Sequence, residues 1–166
     1  MRFVLFGIAV VVLAVVAVVL IGWTLPAERR GGAERVIRAD PEVVRAVILD
    51  VGRQPEWRTG IRAVTLTEAG WTETTERGEV VSFAIVEEGP EVIRLRFESS
   101  RGYHGTWEGR MVAEDDGGQG VTRLTLTESA VTPSPVGRIL ARLFFDPAAY
   151  SRAYLDQLQA RVEGGE

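Results

Sequence analysis

The 166 residues contain no cysteine, no asparagine and no lysine, and only one histidine. Each absence removes a class of chemistry. Without cysteine there is no disulfide, no thiolate metal site and no paired-thiol redox motif. The same absence says nothing about compartment. His104 alone cannot build a multi-histidine zinc site, and no spacing of Ser, His and Asp supports a nucleophilic triad. Without asparagine there is no N-glycosylation sequon. All 19 basic residues are arginine, a bias that fits GC-rich coding better than a functional demand. The net charge is −4, which argues against nucleic acid as a partner, since that needs a concentrated basic face. No cofactor motif is present. Asp115-Asp116-Gly117-Gly118 lacks the ligand ladder of a calcium loop. Gly117-Gly118-Gln119-Gly120 lacks the Lys-Ser/Thr that completes a phosphate loop.

Charge is also missing from residues 3–23, which read FVLFGIAVVVLAVVAVVLIGW. As a helix rising about 1.5 Å per residue this run is roughly 31 Å long, close to the hydrocarbon thickness of a bilayer. Val and Ile are middling helix formers in water. In lipid, however, a helix is the one local way to satisfy the backbone. Trp23 suits the headgroup boundary. The competing reading is a cleaved secretory leader starting at Arg2. The run exceeds a typical leader core of about 7–15 residues, and the cleavage site would have to use Leu25-Pro26-Ala27. Residues 1–23 are therefore expected to be a single-pass transmembrane anchor, with the bilayer as a partner. Arg29, Arg30, Arg35 and Arg38 on the C-terminal flank tilt the following domain towards the cytoplasm. Residues 24–33, with Pro26 and Gly31-Gly32, read as a linker whose Arg29 and Arg30 sit near headgroups. Residues 34–166 are expected to form one domain, about the usual size for one core.

Within that domain, residues 34–38 alternate as a strand. Asp40-Pro41-Glu42 is a helix start: a capping side chain, proline at the first turn, an early acid. Val43, Val44, Val47 and Ile48 follow at helical spacing. Gly52 ends that helix, and Pro55-Glu56-Trp57 sits on a short turn or second helix. Period-two alternation then marks strands at residues 61–68, 79–87, 91–99, 103–114 and 121–129. Turns at Ala69-Gly70, Gly89-Pro90, Arg101-Gly102 and Asp115-Asp116-Gly117-Gly118 separate them. Such short connections imply antiparallel neighbours. One apolar face per strand implies a sheet covered on one side. Ser134-Pro135 opens a last helical stretch carrying Val136, Ile139, Leu140, Leu143 and Phe144. Asp146-Pro147 forces a kink or restart. Tyr150, Tyr154, Leu155, Leu158 and Val162 carry the stripe on to Gly164. The fold class is α+β: a curved antiparallel sheet gripping a long C-terminal helix, preceded by one transmembrane helix.

The ordered set Ala39-Asp40-Pro41-Glu42-Val43-Val44, Leu49-Asp50, Pro55-Glu56-Trp57-Arg58, Gly105-Thr106-Trp107 and Gly120 to Glu128, closed by Tyr154-Leu155 and Leu158, resembles the START-like superfamily. The branch is the one often called SRPBCC or polyketide cyclase/dehydrase-like. The resemblance runs from about Glu34 to Glu163. It implies a helix-grip fold with a cavity between sheet and helix for lipids, quinones, hormones or polyketides. It implies no catalytic set.

The residues themselves supply a candidate lining: Phe83, Leu95, Phe97, Tyr103, Trp107, Met111 and Leu126 on inward strand faces, Phe144 and Tyr154 on the helix. Trp57 would close one end. Gly105 and Gly109 either open space on that face or let the strand bend. Glu128 falls in register with Leu124 and Leu126, so it points inward. A buried carboxylate must be paired or protonated, which suits an anchor for a ligand head group or a general base. His104 points outward. Three readings follow: a membrane-anchored module binding a hydrophobic small molecule, a cyclase/dehydrase-like enzyme acting on such a molecule, or an envelope interaction protein with a filled core. A catalyst needs at least two titratable groups in one cleft, and the inward faces offer essentially one. Binding is therefore placed ahead of catalysis.

Overall fold

The computed structural model describes residues 2–116 and 119–164. α1 (Arg2–Thr24) is one unbroken helix. From Phe3 to Thr24 it is long and apolar enough to cross a membrane, and none of its apolar window is buried in the protein.

β1 (Glu28–Ile37) starts only a few residues later. The linker expected over residues 24–33 is thus mostly strand, paired with the last strand from Glu28 opposite Val131 to Ile37 opposite Thr122. Gly31 is not a turn but a close approach, since a Cβ there would lie 2.4 Å from Cβ of Pro147.

α2 (Pro41–Leu49) begins at the proline, as its position at the first turn favours. Asp40 holds the cap position without a side-chain cap hydrogen bond. A short 3₁₀ turn, Val51–Arg53, leads into α3 (Gln54–Trp57). Among the described residues six strands follow: β2 (Ile61–Thr67), β3 (Gly70–Thr75), β4 (Val80–Glu88), β5 (Val92–Ser99), β6 (His104–Asp116) and β7 (Gln119–Val131). β3 is a strand that period-two alternation does not mark. The Ala69-Gly70 signal was a genuine turn, but it leads into a hairpin partner of β2. Of the Asp115–Gly118 turn, Gly117 and Gly118 lie outside the described residues.

Every pairing is antiparallel, and the strand order is β1-β7-β6-β5-β4-β3-β2. α2 and α3 therefore carry the chain from one edge of the curved sheet to the other. α4 (Pro135–Phe144) is capped by Ser134, whose hydroxyl accepts from Gly137 N at 3.2 Å. α5 (Pro147–Gly164) restarts after Asp146, whose carboxylate accepts from Ala148 N at 3.0 Å. The break at Asp146-Pro147 is the expected one.

α5 buries Ser151, Tyr154, Leu155 and Leu158. Together with Val44 and Ile48 of α2 and Met111, Leu124 and Leu126 of the sheet, its apolar residues form a continuous core. The result is an α+β helix-grip fold with an apolar helix ahead of it.

Candidate functional site

The core does not fill the whole concave face. Between β3–β7, α4 and the start of α5 lies a cavity of about 520 Å³, within the range typical of small-molecule pockets. Its sheet side is aromatic. Trp71 stacks on Phe83 at 5.2 Å between ring centroids, Phe83 leans on Phe97 at 5.9 Å, and Phe97 meets the edge of Tyr103 at 6.3 Å. The strand register puts Trp71, Phe83, Phe97 and Gly105 in one row across the sheet. The next row runs Leu95, Trp107, Glu128. Gly105 and Gly109 do not enlarge the space. Cζ of Phe97 lies 2.7 Å from where a Gly105 Cβ would be, and the Trp107 ring lies 2.8 Å from the equivalent point at Gly109. These glycines give room for rings.

Eight of the expected lining residues border the cavity: Phe83, Leu95, Phe97, Tyr103, Trp107, Glu128, Phe144 and Tyr154. Three do not. Met111 and Leu126 are fully buried in the filled part of the core, where α2 and α5 close over the sheet. Trp57 packs its edge against Tyr154 at 5.7 Å and supports that ring instead of facing the cavity. His104 is exposed, as alternation implied.

The polar part of the site was largely unseen in the sequence. Arg58, at the end of α3, is buried and reaches across to β3. Its Nη1 donates to Glu73 Oε1 at 2.7 Å and also to the side-chain oxygen of Gln54. Its Nη2 donates to the Tyr150 hydroxyl at 3.1 Å, and its guanidinium lies 5.2 Å over the Tyr154 ring. Gln54 is fixed in turn by donating to Ile48 O at 3.1 Å, and Trp71 Nε1 donates to Glu73 Oε1 at 3.3 Å. Burial by itself would lower the Arg58 guanidinium. Glu73, Tyr150 and Tyr154 outweigh it and hold the group above its ordinary value. Arg58 thus keeps its charge and is paired with the Glu73 carboxylate.

Glu128 is different. It is only 8% exposed, it borders the cavity, and among the described residues nothing hydrogen-bonds its carboxylate. Burial pushes its pKa up to about 7, with Arg58 pulling the other way. Among the described lining carboxylates, Glu73 is held by Arg58 and Glu79 by Ser99 and Arg101, which leaves Glu128 as the one that no side chain hydrogen-bonds. Among the described residues no cluster of His, Asp and Glu could hold a metal ion.

A curved sheet closed by a C-terminal helix, hollow between the two and lined by rings, defines a helix-grip protein of the START type. Residues 31–163 match the family described as polyketide cyclase / dehydrase and lipid transport, and the chain belongs to it. Among solved structures it is similar to the Zhui aromatase/cyclase from Streptomyces sp. R1128, with TM-score 0.66, 17% identity, and 82% of this chain and 94% of that one covered. A START superfamily protein from Mycobacterium smegmatis aligns with TM-score 0.60 and 16% identity over 81% of this chain and 97% of that one. Truncated norcoclaurine synthase from Thalictrum flavum aligns with TM-score 0.62 and 12% identity over 84% and 96%. Likenesses this distant establish the fold. No curated protein matches the chain in sequence.

Proposed function

We propose that this protein is a membrane-anchored binding module for a hydrophobic small molecule carrying one polar group. The observation that carries the reading is the aromatic cavity with a single unconsumed carboxylate, Glu128, in its wall. Apolar surface on a ligand would be stabilised by about 25 cal/mol for each Å² removed from water. A hydroxyl or amine on the ligand would meet Glu128 and supply the partner it lacks. The family description, with its lipid transport and cyclase members, supports a ligand of this class. The division into an anchor at residues 1–23 and a cavity domain beyond fits the same picture: a molecule that partitions into the bilayer meets an anchored cavity there without crossing water. The arginine excess after the anchor supports a cytoplasmic face. A reporter fused after Glu166 and active only outside the cytoplasm reverses that assignment.

Native mass spectrometry of the full chain, released from its membranes in lipid nanodiscs, tests the reading. The expected result is a co-released apolar molecule whose retention falls in Glu128→Gln. A chain that emerges empty and takes up neither fatty acid, quinone nor hydrophobic dye overturns it.

A second reading, catalysis on the bound molecule, gains from one observation. Burial places Glu128 near neutrality, where a general acid–base is most effective, with Arg58 nearby to stabilise negative charge. The two readings separate on the co-released molecule. A binding module returns it unchanged after incubation, whereas an enzyme converts it at a rate that Glu128→Gln abolishes.

A further inference from the structure

α4 carries Val136, Ile139, Leu140, Leu143 and Phe144, yet buries none of its residues. Val136, Leu140, Leu143 and Phe144 share one face, with Leu143 68% and Phe144 80% exposed. Arg138 and Arg142 lie on the opposite side of the helix at 100° per residue. This is the pattern of a helix lying in a membrane interface, with its apolar face in the acyl boundary.

The structure also says at what level that face sits. α4 begins where α1 ends. A Cβ on Gly22 would lie 2.2 Å from Pro135 O, so the two backbones meet there without room for a side chain. The Arg138 guanidinium lies 5.5 Å over the Trp23 ring and donates to Leu25 O at 3.2 Å. The far end is tied down too. Arg29 of β1 donates to Ala141 O at 2.6 Å and Phe145 O at 2.7 Å, satisfying carbonyls at the C-terminal end of α4. A pair of side chains, Leu140 and Phe144, both border the cavity and stand exposed. They form its mouth on the α4 side.

We infer that α4 is an interfacial helix seated in the leaflet that α1 enters, so that the cavity mouth between Leu140 and Phe144 opens into acyl chains instead of water. The inference rests on the membrane-anchored reading above and adds the route of entry: a ligand slides sideways from the leaflet into the cavity.

Because the chain has no cysteine, a single one can be placed and labelled cleanly. Leu143→Cys, and Leu66→Cys at the opposite sheet edge as a control, would each carry an environment-sensitive nitrobenzoxadiazole label. The full chain is reconstituted in vesicles of phosphatidylcholine and phosphatidylglycerol. The expected result is a blue-shifted label at position 143, quenched by nitroxide on the lipid acyl chains and shielded from aqueous iodide, with a water-like label at 66. A chain that floats with the vesicles while iodide quenches both positions alike overturns the α4 inference and leaves the anchor standing. A chain that fails to float removes the anchor, and this inference falls with it. The route is read separately with Leu143→Glu, an exposed change that leaves the fold intact. Uptake of a fluorescent fatty acid from vesicles should slow by about tenfold, while uptake of anilinonaphthalene sulfonate from water stays unchanged. Equal slowing of both, or of neither, overturns entry from the leaflet.

Discussion

The two consecutive helices after the sheet behave oppositely. α5 buries Tyr154, Leu155 and Leu158 against the sheet and α2, and that end of the concave face is solid. α4 carries just as many large apolar side chains and buries none. The break at Asp146-Pro147 lets them diverge. The difference teaches where the cavity comes from. A curved sheet can be filled by one helix only along the line where the two touch. Where α4 is held at the rim by α1 and Arg29 instead, space remains beneath it.

The comparison can be broken most severely at the polar support between the two regions. Arg58→Ala leaves Glu73 buried without its cation, and a loss of about 3–5 kcal/mol is expected on denaturant unfolding of the full chain in detergent. A near-silent result would mean that the buried pair adds little to stability. Next comes the solid end. Leu158→Ala should cost about 2–5 kcal/mol, because the packed surroundings cannot collapse around the void. A cost under about 1 kcal/mol would show that the filled end is loose.

Glu128 sharpens the contrast through pH. Its folded pKa is raised from 4.5 to about 7. A raised carboxyl means that the folded state binds the extra proton. Its contribution is fully present below the unfolded value of 4.5 and is lost as pH rises through about 7. Glu128→Gln should therefore match the parent at pH 4 and exceed it by roughly 2–3 kcal/mol at pH 8. Parallel pH–stability curves for the two proteins would assign the drop to another group. The smallest effect belongs to α4. Leu143→Ser should change stability by less than about 0.5 kcal/mol, because the side chain is 68% exposed and the fold takes little of it from water. A large loss would place α4 in the core after all.

How legible this was in the sequence depends on the range of the interaction. β5 and β7 were readable because apolar residues alternate with arginines and threonines on a period of two. Glu128 was readable as inward because it shares that register with Leu124 and Leu126. β3 was not, because its inner face carries Glu73 between Trp71 and Thr75. A charge on the covered face breaks the alternation that marks a strand. What makes Glu73 tolerable there is Arg58, fifteen residues earlier, at the end of a short helix. The pairing exists only after the sheet has closed. Arg29 misled in the same way. It read as a headgroup-facing charge, but its guanidinium is taken up by carbonyls more than a hundred residues away. Trp57, Met111 and Leu126 were correctly apolar and inward, but whether an inward residue meets a cavity or another side chain depends on what lies opposite.

The sequence by itself determined the elements whose causes are local: the apolar helix, the proline-marked helix starts, the alternating strands and the break at Asp146-Pro147. Periodicity, capping and ring closure of the backbone act over a few residues, so they are written in a few residues. The tertiary structure decided the hollow, the buried Arg58–Glu73 pair, the unconsumed Glu128 and the exposed face of α4. Each of these is a balance between groups brought together by strand order and by helix docking, and no stretch of the chain holds both sides of that balance.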